Sequence, residues 1–117
     1  MVVRCALAFL LFTSMASTQS SEDPAVVYAR RVIVGERTYR PTAGYVPDSQ
    51  TAVAIATAVL IPIYGKATID AEKPWHTGLK GGVWTVVGTF NGKGCGGEAM
   101  VQIDKKSAAI IFVGHTM

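Results

Sequence analysis

Residues 46–65, VPDSQTAVAIATAVLIPIYG, constrain the fold more than any other stretch of the chain, because they read as one capped helix with an unusual stop. Asp48 follows Pro47, and its carboxylate can accept the free N–H groups of the first turn, which makes it the N-cap. Ala52, Ile55, Ala56, Val59, Leu60 and Ile63 then recur at spacings of three and four, the pattern of one helix face turned to a core. Pro62 has no N–H for the carbonyl of Ala58 and its ring crowds that turn. The helix is therefore expected to kink or loosen at Pro62 and to end, past Tyr64, at Gly65. A helix face this apolar needs a sheet to pack on.

A chain of 117 residues with 50% hydrophobic and 16% charged residues is expected to form one domain, and this composition excludes a mainly disordered protein. Some of the apolar content belongs to residues 1–18: Arg4, an apolar run over 5–12, then the small residues Ser14, Ala16, Ser17 and Thr18. That is the pattern of a secretory signal peptide, with cleavage expected near 16–18. The run is shorter than the roughly 20 residues that span a bilayer, which favours a cleaved leader over a retained anchor. Residues 19–24, QSSEDP, then form a polar, flexible tether, and residues 25–117 the α+β domain. No later apolar run is long enough to span a membrane, so no stable insertion is expected once the leader is gone. Without the leader, Cys95 is the single cysteine, which rules out an internal disulfide or a cysteine-based zinc cluster. Basic residues are scattered apart from Arg30-Arg31 and Lys105-Lys106, so a net charge of +3 does not call for nucleic acid.

Downstream of the tether, residues 26–34 are rich in β-branched side chains, and Gly35-Glu36 followed by Thr38, Tyr39 and Arg40 suggests a turn and a short return strand. Residues 67–73 have the composition of a short helix ended by Pro74. From Trp75 the period becomes two. Residues 75–79, 83–90, 97–103 and 108–115 read as strands, with turns at Lys80-Gly81-Gly82 and Asp104-Lys105-Lys106-Ser107. In the second of these strands Trp84, Val86 and Gly88 share one face. Short consecutive strands joined by tight turns pair antiparallel. The expected class is α+β, one long helix packed on a curved antiparallel sheet.

The helix with its Ile-Pro-Ile-Tyr-Gly ending, Lys73-Pro74-Trp75, the strand VWTVVGTF, the glycine-bearing GCGGEAMVQID and the turn DKKSAAI occur here in an order that resembles one family. It is the immunity proteins with a nuclear-transport-factor-2-like, or cystatin-like, fold, found beside polymorphic toxins in bacteria. The likeness covers about residues 45–115, and Ala108 stands where the turn often carries glycine. The resemblance implies a small inhibitor that binds a cognate toxin or effector protein and has no chemistry of its own. Asp48 as cap, Pro62 and Gly65 as helix stop, and Tyr64 and Trp84, flanked by core-type residues, read as scaffold.

The remaining residues offer little for catalysis. His76 and His115 lie far apart and neither has a neighbour at metal-ligand spacing, so both read as surface or strand-end histidines and no metal or other cofactor is expected. Cys95, between two glycines, reads as a tolerated loop thiol, with an intermolecular disulfide as the alternative. The 91–97 run, NGKGCGG, lacks the Gly-Lys-Ser/Thr ending and following helix of a phosphate loop and is expected to be a hairpin loop. Asp70, Glu72, Glu98 and Asp104 form no evident inward-facing carboxylate pair and read as solvated charges. Trp75, after Pro74 and beside His76, is the aromatic residue best placed for partner contact.

The expected function is an exported, non-enzymatic protein that neutralises a toxin in the periplasm by steric occlusion, with Trp75, His76, Asn91, Lys93, Cys95 and Glu98 as candidate contacts. Two other readings stay open: a cone-shaped domain with a ligand-binding or enzymatic pocket beneath the helix, and an envelope module binding peptidoglycan or a hydrolase. A homodimer that covers a free sheet face is a further expectation.

Overall fold

The structure is a computed structural model that describes residues 21–33, 39–92 and 97–116. Residues 1–38 and 39–117 form separate units. In the first unit, Pro24–Ile33 is helix α1, not the strand expected from its β-branched residues. Its start explains the difference. Asp23 accepts the Ala25 N–H on its carboxylate at 2.8 Å and those of Val26 and Val27 on its carbonyl, while Pro24 sits where a missing N–H costs nothing. The local cap overrides side-chain composition, and Pro24, read as the last residue of the tether, is the first of this helix. The expected signal peptide and the turn at Gly35-Glu36 lie outside the described residues, and Tyr39 and Arg40 form no strand.

The second unit opens with a loop and continues through helix α2, Ser49–Tyr64, and helix α3, Lys66–Ala71. Asp48 caps α2 by taking the Thr51 N–H at 2.8 Å and the Thr51 hydroxyl at 2.7 Å. The helix runs through Pro62 and stops at Gly65, whose φ of 90° favours glycine. Gly65 serves both helices: its N–H donates to the Ile61 carbonyl, and its own carbonyl receives the Ile69 N–H. The helical part is thus two short helices in place of one long one, with α2 ending at Gly65 as expected and the short helix read over 67–73 forming as α3. The 16 residues of α2 reach about 24 Å at 1.5 Å per residue, and α3 begins directly after Gly65.

Four strands follow, β1 His76–Lys80, β2 Val83–Val87, β3 Ala99–Asp104 and β4 Ile110–His115, in one antiparallel sheet of order β1-β2-β3-β4. The β1–β2 turn needs Gly81 and Gly82, both at positive φ. The β3–β4 turn is organised by Asp104, whose Oδ1 accepts the N–H groups of Lys106 and Ser107 and the Ser107 hydroxyl. Ala108 leaves that turn with a φ of 64°, a left-handed conformation that an alanine pays for in steric strain.

The core lies between α2 and the sheet. Ala52, Ala56 and Leu60, four residues apart, bury one helix stripe against Trp84, Val86, Ala99, Val101 and Ile103. The alanines let the helix approach closely, and Leu60 and Ile103 supply the bulk; each such fully buried side chain contributes roughly 1.5–3 kcal/mol. Ile55 packs at the margin and Ile63, expected in the buried stripe, is 56% exposed. Ile63 sits in the last turn, beyond the face that Leu60 brings onto the sheet. Trp84 also ties the preceding loop to the sheet by donating its indole N–H to the Val46 carbonyl at 2.9 Å.

Candidate functional site

Strand register gathers one end of the sheet into a single surface. His76 pairs with Val87, Val87 with Met100, and Met100 with Gly114, so the start of β1, the end of β2, the start of β3 and the end of β4 lie side by side. Chain segments that are far apart in sequence meet there: 72–76, 88–92 and 97–98, and 114–116.

Thr89 fastens the first two segments. Its N–H donates to the Glu72 carbonyl at 2.7 Å and its hydroxyl to the Pro74 carbonyl at 2.6 Å. With its proton spent on Pro74, the hydroxyl oxygen accepts from His76 Nε2 at 2.9 Å, which assigns the proton to Nε2 of that exposed ring. Thr116 fastens the other two. Its N–H donates to the Glu98 carbonyl, its hydroxyl donates to Glu98 Oε2 at 2.6 Å, and the same hydroxyl oxygen accepts the Glu98 N–H. The Thr116 hydroxyl, followed by the residue's own backbone N–H, holds the Glu98 carboxyl below the usual glutamate range.

Glu72 sits behind this surface. It is only 7% exposed, which corrects its reading as a solvated charge. Its Oε1 accepts the N–H of fully buried Ala99 at 2.7 Å and lies 3.9 Å from His115 Nε2, while Oε2 is buried without a partner among the described residues. The other three acids do remain at the surface, each with a partner: Asp70 with Lys66 and Lys73, Asp104 within its turn, Glu98 with Thr116 across the sheet end. The signal for Glu72 was present in the spacing. It lies three residues after Ile69, on the same face of the short helix that buries Ile69. Thr89 carried no comparable signal, since its role depends on two distant segments, 72–76 and 88–92, meeting.

Trp75 is half-buried, packed against the core rather than projecting freely, and its indole N–H is buried without a partner among the described residues. Gly88 makes this packing possible: a Cβ there would lie 2.9 Å from Glu72 Cβ and 3.2 Å from Trp75 Cζ3. His115 closes the far side, its ring 5.4 Å from that of half-buried Tyr64. Asn91 is exposed at the start of the β2–β3 loop, and Lys93 and Cys95 lie outside the described residues. Next to Trp75, a groove of about 700 Å³ runs between β1 and the first turns of α2, lined by Gln50, Val53, Ala54, Lys73 and Pro74 among others. Lys73 is the one ionisable side chain among the described residues lining it. Among the described residues no group of three or more side chains could hold a metal ion, and no helix is long and apolar enough to cross a membrane.

A family model described as NTF2 fold immunity protein matches residues 51–117, from the first turn of α2 to the end of the chain. The chain belongs to that family. No match is found among curated proteins or among solved structures. The match covers all four strands and most of α2, so the sheet-end surface of this immunity-family protein lies wholly within the matched region.

Proposed function

We propose that this protein binds a cognate bacterial toxin and neutralises it by covering the toxin's working cleft with the end of the sheet that carries Trp75, His76, Asn91 and Glu98. Membership of the immunity family carries the reading, since that family implies a toxin partner. The strand register supports the choice of surface, because it brings contacts from three separate chain segments to one side. Residues 1–18 support export and action in the periplasm, because a protector has to reside where the poison acts. A stable interface needs about 800 Å² per partner, and a sheet end flanked by two loops and a groove offers that area. Binding of this kind uses shape and hydrogen bonding and needs no bond making by the inhibitor.

The test is co-purification of the protein with the toxin encoded beside it. A complex at micromolar concentration, weakened roughly tenfold or more by His76→Ala and Asn91→Ala with an unchanged thermal midpoint, supports the proposal. Absence of a complex removes the inhibitor reading, and a complex indifferent to both substitutions moves the contact surface elsewhere. Trp75 is a poor first variant because its ring packs on the core, so its loss would change stability and binding together.

A further inference from the structure

The geometry points to a second copy of this chain as the occupant of the free edge of β4, joined by antiparallel strand pairing about Val113. Among the described residues the sheet order leaves two open edges, β1 and β4. They are not alike. β1 is blunted by Lys80, as edge strands that avoid pairing are. β4, IIFVGH, contains no Lys, Arg, Asp, Glu or Pro, and Ile110, Ile111 and Phe112 are 42%, 53% and 44% exposed. An irregularity opposite Ile103 produces this run of three exposed apolar residues.

The backbone on this edge has groups to give. Ala99 spends its carbonyl on Gly88 and its N–H on Glu72, so its β4 neighbour His115 turns its own N–H and C=O away from β3. Thr116, one residue on, turns inward to Glu98, and the alternation places Val113 outward like His115. A two-fold axis at Val113 then pairs Val113 with itself and His115 with Ile111 of the other copy. The side chains suit that register. Phe112 meets Gly114 of the second copy, a large residue against none, and its ring already lies over its own Gly114, where a Cβ would come within 2.6 Å of it. An axis through this strand sets no charge against its own image, whereas the β1 edge would bring in Lys80. Self-pairing therefore satisfies polar backbone and covers apolar side chains without repulsion.

Sedimentation of the purified protein in reducing buffer, which removes any cysteine link, decides the matter together with amide exchange. A dimer is expected at about 100 µM, with the Val113 and His115 amides protected in the dimer and exchanging on dilution. Ile111→Lys should raise the dimer dissociation constant roughly tenfold or more while leaving the unfolding midpoint of the monomer in place. A monomer at that concentration overturns the inference. So does a dimer in which those two amides exchange freely or which Ile111→Lys leaves intact. Protection that appears only on adding a toxin would also overturn it and assign the edge to the toxin. These outcomes are independent of whether a toxin complex is found.

Discussion

Replacing Glu72 tests the central geometry of the sheet end. In Glu72→Ala the Ala99 N–H loses a 2.7 Å acceptor in a fully buried setting, and such a loss costs about 1–3 kcal/mol. The change also empties the space beside Gly88 and Trp75 that the side chain fills, for which a further ~1 kcal/mol is reasonable. Against this, the variant releases a carboxylate whose second oxygen is buried without a partner among the described residues. The packing and hydrogen-bond losses outweigh that relief, so Glu72→Ala is expected to lower stability by about 2–3 kcal/mol. Glu72→Gln separates the two effects. Its carbonyl oxygen can still accept from Ala99 while the buried charge disappears, so it should stay within ~1 kcal/mol of the parent. Urea unfolding at neutral pH, read as a midpoint change at constant slope, measures both variants, and exchange of the Ala99 amide locates the effect. A fully stable alanine variant, or a glutamine variant as weak as alanine with a fast Ala99 amide, would refute the clamp.

Gly88→Ala should cost about 1–3 kcal/mol, because the new methyl falls 2.9 Å from Glu72 Cβ; a thermal melt unchanged from the parent would show that this packing is looser than described. Ala108→Gly should be neutral or stabilising by up to ~1 kcal/mol, opposite to the usual effect of glycine, since Ala108 holds a φ of 64°, and chemical unfolding decides the sign. Asp104 has its carboxyl held below the ordinary aspartate range, first by the Ser107 N–H and then by the Ser107 hydroxyl. A folded-state pKa below the unfolded one gives stability that is complete above the unfolded value and disappears as pH falls through the folded value. The stability gap between the parent and Asp104→Asn should accordingly be constant from pH 7 to about 5 and close towards about pH 2; a gap that persists in acid would show that the carboxylate charge is not what orders the turn.

Local chemistry accounts for what could be read in advance. Asp48, Gly65, Gly81-Gly82 and Asp104 each fix a boundary with groups within a few residues, so α2, the two hairpins and the alternation of Trp84 and Val86 were legible from spacing alone. The order of these signals was also enough to point to the immunity family. Residues 26–34 carry the β-branched composition of a strand, but the cap at Asp23-Pro24 acts on the same stretch and starts a helix there. The short helix read over 67–73 forms as α3, Lys66–Ala71, but nothing in the spacing could show that it packs beside α2.

What tertiary structure alone decided is which distant residues meet. Burial of Glu72 depends on Ala99, 27 residues away, offering an N–H in the core, and Thr89 gains its role when the end of β2 lies over the segment leading into β1. The contrast between a guarded β1 edge and an apolar β4 edge arises from sheet order, which no single strand carries. Capping, turn geometry and side-chain alternation act over a few bonds and are written in neighbouring residues. Register and the satisfaction of buried polar groups act across the chain, and they exist only once the strands have paired.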